Sequence, residues 1–440
     1  MEWLILFGFV WMVLSLGLYI SRSRPRNTSS HNIHQIIQKH EIEESKTSIP
    51  TSRFLQRLFI GSLLIRLGLI ALFVVTDAIR ILRLSPDSER YHRVGVNVAL
   101  EMQQGFFNWP NWIDNGWFQF AGFVYYLFGP YPILIQILNA ILGALTPVVV
   151  YFLVKRAFGI EKTARWTAIL TAFFPSFIYW SCLMLKDPLS IFAMALLGLS
   201  VVSIRERFSV RWLIVMSFSL TIFLGVREYM FFVALFFVAL SYLPVEGRRT
   251  GPLLVKMLLM VVLIGCATWA MGFGFLGADY IAKSHYFDLD YINSTRVAIG
   301  DHGSGAFFSD PSSALWGKDL VSTLKALLAA IYFSFISLDL TSLGSVRQLM
   351  ALPEVLVTVM LLPHLFRGLA QSWRYLRQET LPLMVFAFGI LAVYGSATTN
   401  MGAMFRWRMQ ALPFLLAFLL YGLTLHGRGW LYRMLSRLRI

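Results

Sequence analysis

Phe54 to Val75 is a mostly apolar stretch long enough to cross a bilayer, because roughly 20 helical residues span its hydrocarbon core. One such stretch would only anchor a protein. Here further apolar runs follow at 133–154, 164–183, 188–204, 210–226, 229–243, 253–276, 350–366, 380–397 and 410–426, and another precedes at 3–20. The chain is 57% hydrophobic and only 14% charged. A soluble domain cannot hide that much apolar surface, so the expectation is an all-α polytopic membrane protein with about eleven transmembrane helices, outward-facing juxtamembrane helices and long outer loops.

The net charge of +15 would suggest nucleic acid in a soluble protein. In this chain the cations cluster in short loops between the apolar runs, at Arg22/Arg24/Arg26, Lys155/Arg156/Lys162/Arg165, Arg205/Arg207/Arg211, Arg248/Arg249/Lys256, Arg367/Arg374/Arg377 and Arg428/Arg433/Arg437/Arg439. They read as topology signals, and no nucleic-acid partner is expected. All fall on one side if 318–337, which opens with Lys318, Asp319 and Lys325, is interfacial or re-entrant. That topology puts Met1 outside and Ile440 in the cytoplasm. Residues 1–53 then form an N-terminal helix plus a polar cytoplasmic linker, and 54–440 form the main membrane domain. The inner membrane of a prokaryote is the expected location.

By the same topology the acids gather outside, in loops 77–132, 184–187, 227–228 and 277–349. Function is therefore expected on the outer, periplasmic face. The most informative stretch there is Pro86-Asp87-Ser88-Glu89-Arg90-Tyr91. Tyr91, Val94, Val98 and Met102 recur at helical spacing, which predicts an amphipathic helix along the membrane surface. Asp87 precedes it as an N-cap or serves as a general base: an ionised carboxylate can take a hydroxyl proton as a new bond forms. Glu89 and Asp77 are rivals for that role. Trp109, Trp112 and Trp117 suit the headgroup layer.

Phe174-Pro175-Ser176 and Lys186-Asp187-Pro188 close two consecutive spans at the outer end. Lys186 and Asp187 are either a solvated turn or part of a pocket facing loop 77–132. Arg227-Glu228-Tyr229 makes a similar outer turn, read as structural, with the lining of a cavity as the alternative. Arg406 and Arg408, leading into the last span, have no acid near them in sequence. They either snorkel to headgroups or bind a phosphate, for which guanidinium is well shaped. Arg66, in mid-span, is a weaker site candidate, since an intramembrane charge is expensive.

Loop 277–349 carries Asp279, His285, Asp288, Asp290, Asp301, His302 and Asp310, in no spacing that matches a metal motif. No cofactor is identified, and a divalent cation stays open. Cys182 and Cys266 lie inside apolar runs and read as small core residues. The chain has no Walker motif, no dinucleotide-type glycine pattern and no HExxH, so nothing points to nucleotide hydrolysis.

Taken together, these segments resemble the membrane-embedded glycosyltransferases of the GT-C superfamily, notably the protein O-mannosyltransferase-like and aminoarabinose-transferase-like group. Asp87-Ser88-Glu89-Arg90-Tyr91 is similar to that group's Asp-Glu-x-Arg-Tyr pattern, with Ser88 where an acid often stands. Phe128-Gly129, Lys155-Arg156-Ala157-Phe158-Gly159, Phe174-Pro175-Ser176 with Lys186-Asp187, and Arg406/Arg408 also match. The resemblance implies a polyprenyl-phosphate sugar donor, an acceptor that is a glycan, lipid or protein, and inverting transfer on the outer face. It implies Asp87 as general base with Glu89 beside it. Arg90, Tyr91, Lys186 and Asp187 would contact substrate, and Arg406 and Arg408 the donor phosphate. The rival readings are a lipid-linked glycan flippase or transporter, and a polysaccharide polymerase or ligase.

Overall fold

The computed structural model describes residues 49–83, 86–106, 116–242, 288–301, 315–335, 346–398, 400–427 and 430–437, with isolated positions between 255 and 278. The expected N-terminal span and linker, most of 253–276, and Asp279, His285, His302 and Asp310 lie outside the described residues. The described chain is helical, as its composition demands. Five helices are long and apolar enough to cross a membrane: Thr51–Thr76, Pro132–Phe158, Asp187–Glu206, Leu352–Tyr375 and Arg377–Ala397. A sixth results if Gly402–Gln410 and Leu412–His426, bent by 68°, count as one. The chain divides into two compact units, one built on Gln38–Val238 with Gly429–Ile440, the other on Ala239–Arg428.

The first unit contains α1 (Thr51–Arg83), α2 (Pro86–Gln103), α3 (Gly116–Phe128), α4 (Pro132–Phe158), α5 (Glu161–Phe173), α6 (Pro175–Ser181), α7 (Asp187–Glu206), α8 (Val210–Val226) and α9 (Glu228–Ser241, whose last turn passes into the second unit). Helix α2 is the amphipathic helix anticipated from its spacing, and it buries Tyr91, Val98 and Met102. Its start differs from expectation. Pro86 opens the helix and Asp87 is its second residue, so Asp87 is not the N-cap. Proline suits a first turn because its φ is preset and its missing N–H would be unpaired there anyway. Asp87 and Glu89 then sit where the helix dipole favours acids.

The expected single span 164–183 is broken. Phe174 adopts φ −67° and ψ 124°, ending α5, and Pro175 restarts the chain as α6. Proline has no N–H to donate and pushes the residue before it out of the helical region, so a continuous helix fails there. The two Phe-Gly pairs end helices in a left-handed turn. Gly129 has φ +88° and Gly159 φ +75°, the latter returning its N–H to Lys155 O. Only glycine adopts this conformation without strain.

The second unit contains α10 (Leu289–Asp301), α11 (Leu320–Phe335), α12 (Val346–Tyr375), α13 (Arg377–Ala397), α14 (Met401–Trp407), a 3-10 turn (Arg408–Gln410) and α15 (Leu412–His426). A Cβ on Gly368 would stand 1.8 Å from Phe418 O, and one on Gly422 would stand 2.1 Å from His364 O. Helices α12 and α15 therefore pack backbone to backbone, the arrangement small residues allow where lipid offers no hydrophobic contrast. Among the described helix starts, Asp288 accepts from Asp290 N at 3.0 Å, Asp319 from Ser322 N at 2.8 Å, and Asn400 from Ala403 N at 3.0 Å. The last helix, α16 (Trp430–Arg437), packs within the first unit, where Lys162 lies over the rings of both Trp166 and Tyr432.

Candidate active site

Helix order in the first unit sets up two polar ends. At one end, α1, α6 and α8 finish while α4, α7 and α9 begin. Residues 86–91, 181–187 and 226–229 gather there.

Asp87 is half-buried in the first turn of α2, and Glu89 and Arg90 are exposed beside it. Tyr91, one turn beyond Asp87 on the same face, is buried. Its ring meets Trp117 at 6.1 Å and Phe118 at 5.6 Å. Tyr91, Trp117, Tyr125, Leu183, Met184 and Leu185 share one packed cluster. The cluster thus joins the Asp87 helix to the linker that leads straight into Lys186 and Asp187. A second tie runs through His92, whose Nδ1 lies 3.0 Å from the Tyr125 hydroxyl, which in turn donates to Met184 Sδ. Burial lowers the His92 pKa below its ordinary value, favouring the neutral ring.

Lys186 and Asp187 are not a solvated turn. Asp187 is 1% exposed, and its Oδ1 accepts from Arg227 Nη2 at 2.6 Å. Arg227 is also buried and donates to the Tyr229 hydroxyl at 3.0 Å. Lys186 is partly exposed and donates to Val226 O at 2.9 Å, so the α6–α7 and α8–α9 turns are stitched twice. Beneath them, Asn139 donates to both Leu183 O and Leu185 O at 2.8 Å. Arg227, read from sequence as structural, is so, but its partner Asp187 was not foreseen. The signal was a pair of turns on neighbouring spans, each carrying an acid and a base, so that the acid of one could meet the base of the other. A buried, hydrogen-bonded ion pair holds its members in one geometry, because separating them leaves a charge unpaired out of water.

The opposite end of the unit holds cations, as their loop clustering suggested. Glu161 accepts from Arg165 at 2.6 Å and from Tyr151 at 2.8 Å, with Lys155 at 3.6 Å. Burial acts to raise the Glu161 carboxyl, but the hydrogen bonds from Arg165 and Tyr151 and the nearby charges outweigh it and hold the pKa low. Arg156 pairs with Glu206 at the surface, 3.0 Å away.

In the second unit the two arginines expected to face outward part company. Arg406 is half-buried at the end of α14. Arg408 is buried, stacked over Phe405, and paired with Glu354 of α12 at 3.3 Å. The acid missing from its sequence neighbourhood comes from 54 residues away, which no local reading could find. Arg296 is also buried. It donates to Gly395 O and Ser396 O at 3.1 and 2.7 Å, and lies over Trp316. Burial lowers its pKa to about 10, so it stays charged at neutral pH.

Among the described residues no three His, Cys, Asp or Glu side chains come together as a metal-ligand set. Asp288 and Asp290 are exposed at the start of α10. The described groups do supply a carboxylate in reach of water above buried aromatic rings, beside a turn fixed by an ion pair. Such a carboxylate can accept a proton, and the buried rings fix the helix that carries it.

Residues 116–271 match the family model described as dolichyl-phosphate-mannose-protein mannosyltransferase. No curated protein and no solved structure gives a significant match. The matched segment begins at the first residue of α3 and includes the Lys186-Asp187 and Arg227 turns. The match supports a membrane glycosyltransferase of the GT-C type.

Proposed function

We propose that this membrane glycosyltransferase of the GT-C type moves a sugar from a polyprenyl-phosphate donor to a hydroxyl on the outer face, with inversion at the anomeric carbon. Asp87 is the general base. It takes the acceptor hydroxyl proton as the new oxygen–carbon bond forms, and the bond from the anomeric carbon to the lipid phosphate oxygen breaks. The phosphate leaves with that electron pair, and its developing charge needs cations. Glu89, exposed two residues further along the helix, raises the local negative potential that favours proton capture. Arg90, exposed beside Asp87, contacts substrate, and Lys186 does so from the adjoining turn; the direct contacts expected of Tyr91 and Asp187 give way to positioning roles, because Tyr91 packs in the buried cluster and Asp187 is 1% exposed in its ion pair with Arg227. For the donor phosphate the resemblance offers Arg406; Arg408 is paired with Glu354 and holds its own segment of the second unit.

The observation that carries this reading is the shared cluster: Tyr91 on the Asp87 helix and Leu185 beside Lys186-Asp187 pack into one core, so the two candidate groups are held at one end of one unit. The test is a transfer assay in reconstituted membranes with radiolabelled polyprenyl-phosphate sugars. Wild type should release label from the lipid, and Asp87→Asn, expressed equally, should not. Near-normal transfer by Asp87→Asn would overturn the assignment. Arg406→Ala should weaken donor use more than acceptor use, and an unchanged apparent donor affinity would point to simple snorkelling.

A further inference from the structure

We propose that Arg66 is a positioning residue: it braces the break between α5 and α6, and through that brace it sets the turn carrying Lys186 and Asp187. The functional half of this inference rests on the transferase reading, and the structural half does not.

Arg66 is fully buried in mid-span. Its Nε donates to Ser181 Oγ at 2.8 Å. Its Nη1 donates to Ser62 O at 3.0 Å, to the Ser62 hydroxyl, and to Ala172 O at 3.1 Å. These acceptors explain an intramembrane charge that meets no carboxylate among the described residues. Ala172 is the penultimate residue of α5. Its carbonyl would accept the N–H of residue 176 in a continuous helix, but the Phe174 break removes that partner. An orphan carbonyl at bilayer depth needs an internal donor, and the negative end of a helix dipole favours a cation there. The charge and the break answer each other.

The brace also reaches the other side of the break. Ser181 is the last residue of α6 and donates its own hydroxyl back to Phe177 O at 2.6 Å, so it accepts from Arg66 while tied to its helix. The next residue, Cys182, sends its thiol toward Arg66 O at 3.5 Å. A Cβ on Gly143 of α4 would stand 2.7 Å from Ser181 Cβ and 2.8 Å from Arg66 Nε, so α4 is pared back at this point. From Cys182 the chain climbs past the two carbonyls held by Asn139 to Lys186 and Asp187, where Arg227 closes the arrangement. Arg66 is the lowest rung of that ladder. Only a planar guanidinium has donors spread widely enough to reach α1, α5 and α6 together; a lysine is a single point charge.

The test uses the full chain with Cys266→Ser, because Cys266 is exposed and Cys182 is buried. Labelling of Cys182 by N-ethylmaleimide then reports whether the turn has loosened, whatever the activity. Arg66→Met should label at least tenfold faster than the parent. Its kcat should fall at least tenfold with donor KM within twofold, and Arg66→Lys should recover only part of either loss. Asp187→Asn added to Arg66→Met should lower kcat little further, because both act through one turn; merely structural damage would multiply instead. Gly143→Ala attacks the same brace without removing a charge and carries the test if Arg66→Met does not accumulate. A Cys182 as protected in both variants as in the parent would overturn the proposal, as would multiplicative loss with Asp187→Asn. If the parent transfers no sugar at all, the transferase reading falls, and the labelling still decides the brace.

Discussion

Replacing Arg227 by methionine should be more damaging than replacing it together with its partner. Arg227 and Asp187 are 3% and 1% exposed and meet at 2.6 Å. Arg227→Met keeps the stem volume but strands the Asp187 carboxylate away from water. Breaking a buried pair by removing one member costs about 3–5 kcal/mol, much of it the penalty of the charge left behind. For a domain of this size, each kcal/mol moves Tm by about 2–4 °C, so the single variant should melt roughly 6–20 °C lower. The double variant Arg227→Met with Asp187→Leu removes both charges, and replacing a buried pair with apolar groups is often neutral in stability. Its Tm should return near wild type. Its sugar transfer should not return, because the turn has lost the group that orients it. Thermal unfolding of detergent-purified protein, followed by tryptophan fluorescence, reads the first effect, and the reconstituted transfer assay reads the second. A single variant that melts with wild type would refute the claim that the pair holds the turn. A double variant that melts as low as the single would refute the claim that the unpaired charge is the damage.

Further consequences follow from other contacts. A Cβ on Gly368 has backbone, not a movable side chain, 1.8 Å away. Gly368→Ala should therefore cost more stability than Gly122→Ala, whose Cβ meets the Val98 side chain at 2.3 Å and backbone no nearer than Ala99 N at 3.3 Å; equal Tm values would contradict this. His92 has a folded pKa lowered by burial, so the neutral ring is the folded form. The stability it contributes is fully present above its unfolded value of 6.5 and is lost as pH falls from there toward the folded value. Tm should drop between pH 7 and pH 5, and His92→Gln should flatten that slope; an unchanged slope would remove His92 from the account. Glu354→Gln should destabilise the second unit by stranding Arg408, whereas Glu206→Gln should be nearly silent, since its partner Arg156 is at the surface. Melting curves of the two variants compare them directly.

The membrane class, the amphipathic α2 and the gathering of cations at one end of the first unit were legible in the chain itself. Each is a one-dimensional property: apolar run length, helical periodicity, and charge count in loops. Asp87, Lys186 and Asp187 could be singled out because polar groups at the ends of spans are few. The break at Phe174 was also written locally, in Pro175, but the length of the apolar run masked it. Partners were not legible. Asp187 needs Arg227, Arg408 needs Glu354, and Arg66 needs Ser181 and a carbonyl freed by a distant proline. Such pairings depend on which helix faces meet, and along a uniformly apolar span hydrophobic periodicity is too weak to declare a face. The sequence by itself therefore determined that this protein lies in a membrane and which helix ends are polar. Tertiary structure alone decided which charges are buried together, because in a low-dielectric interior a charge is tolerated only where packing brings its partner.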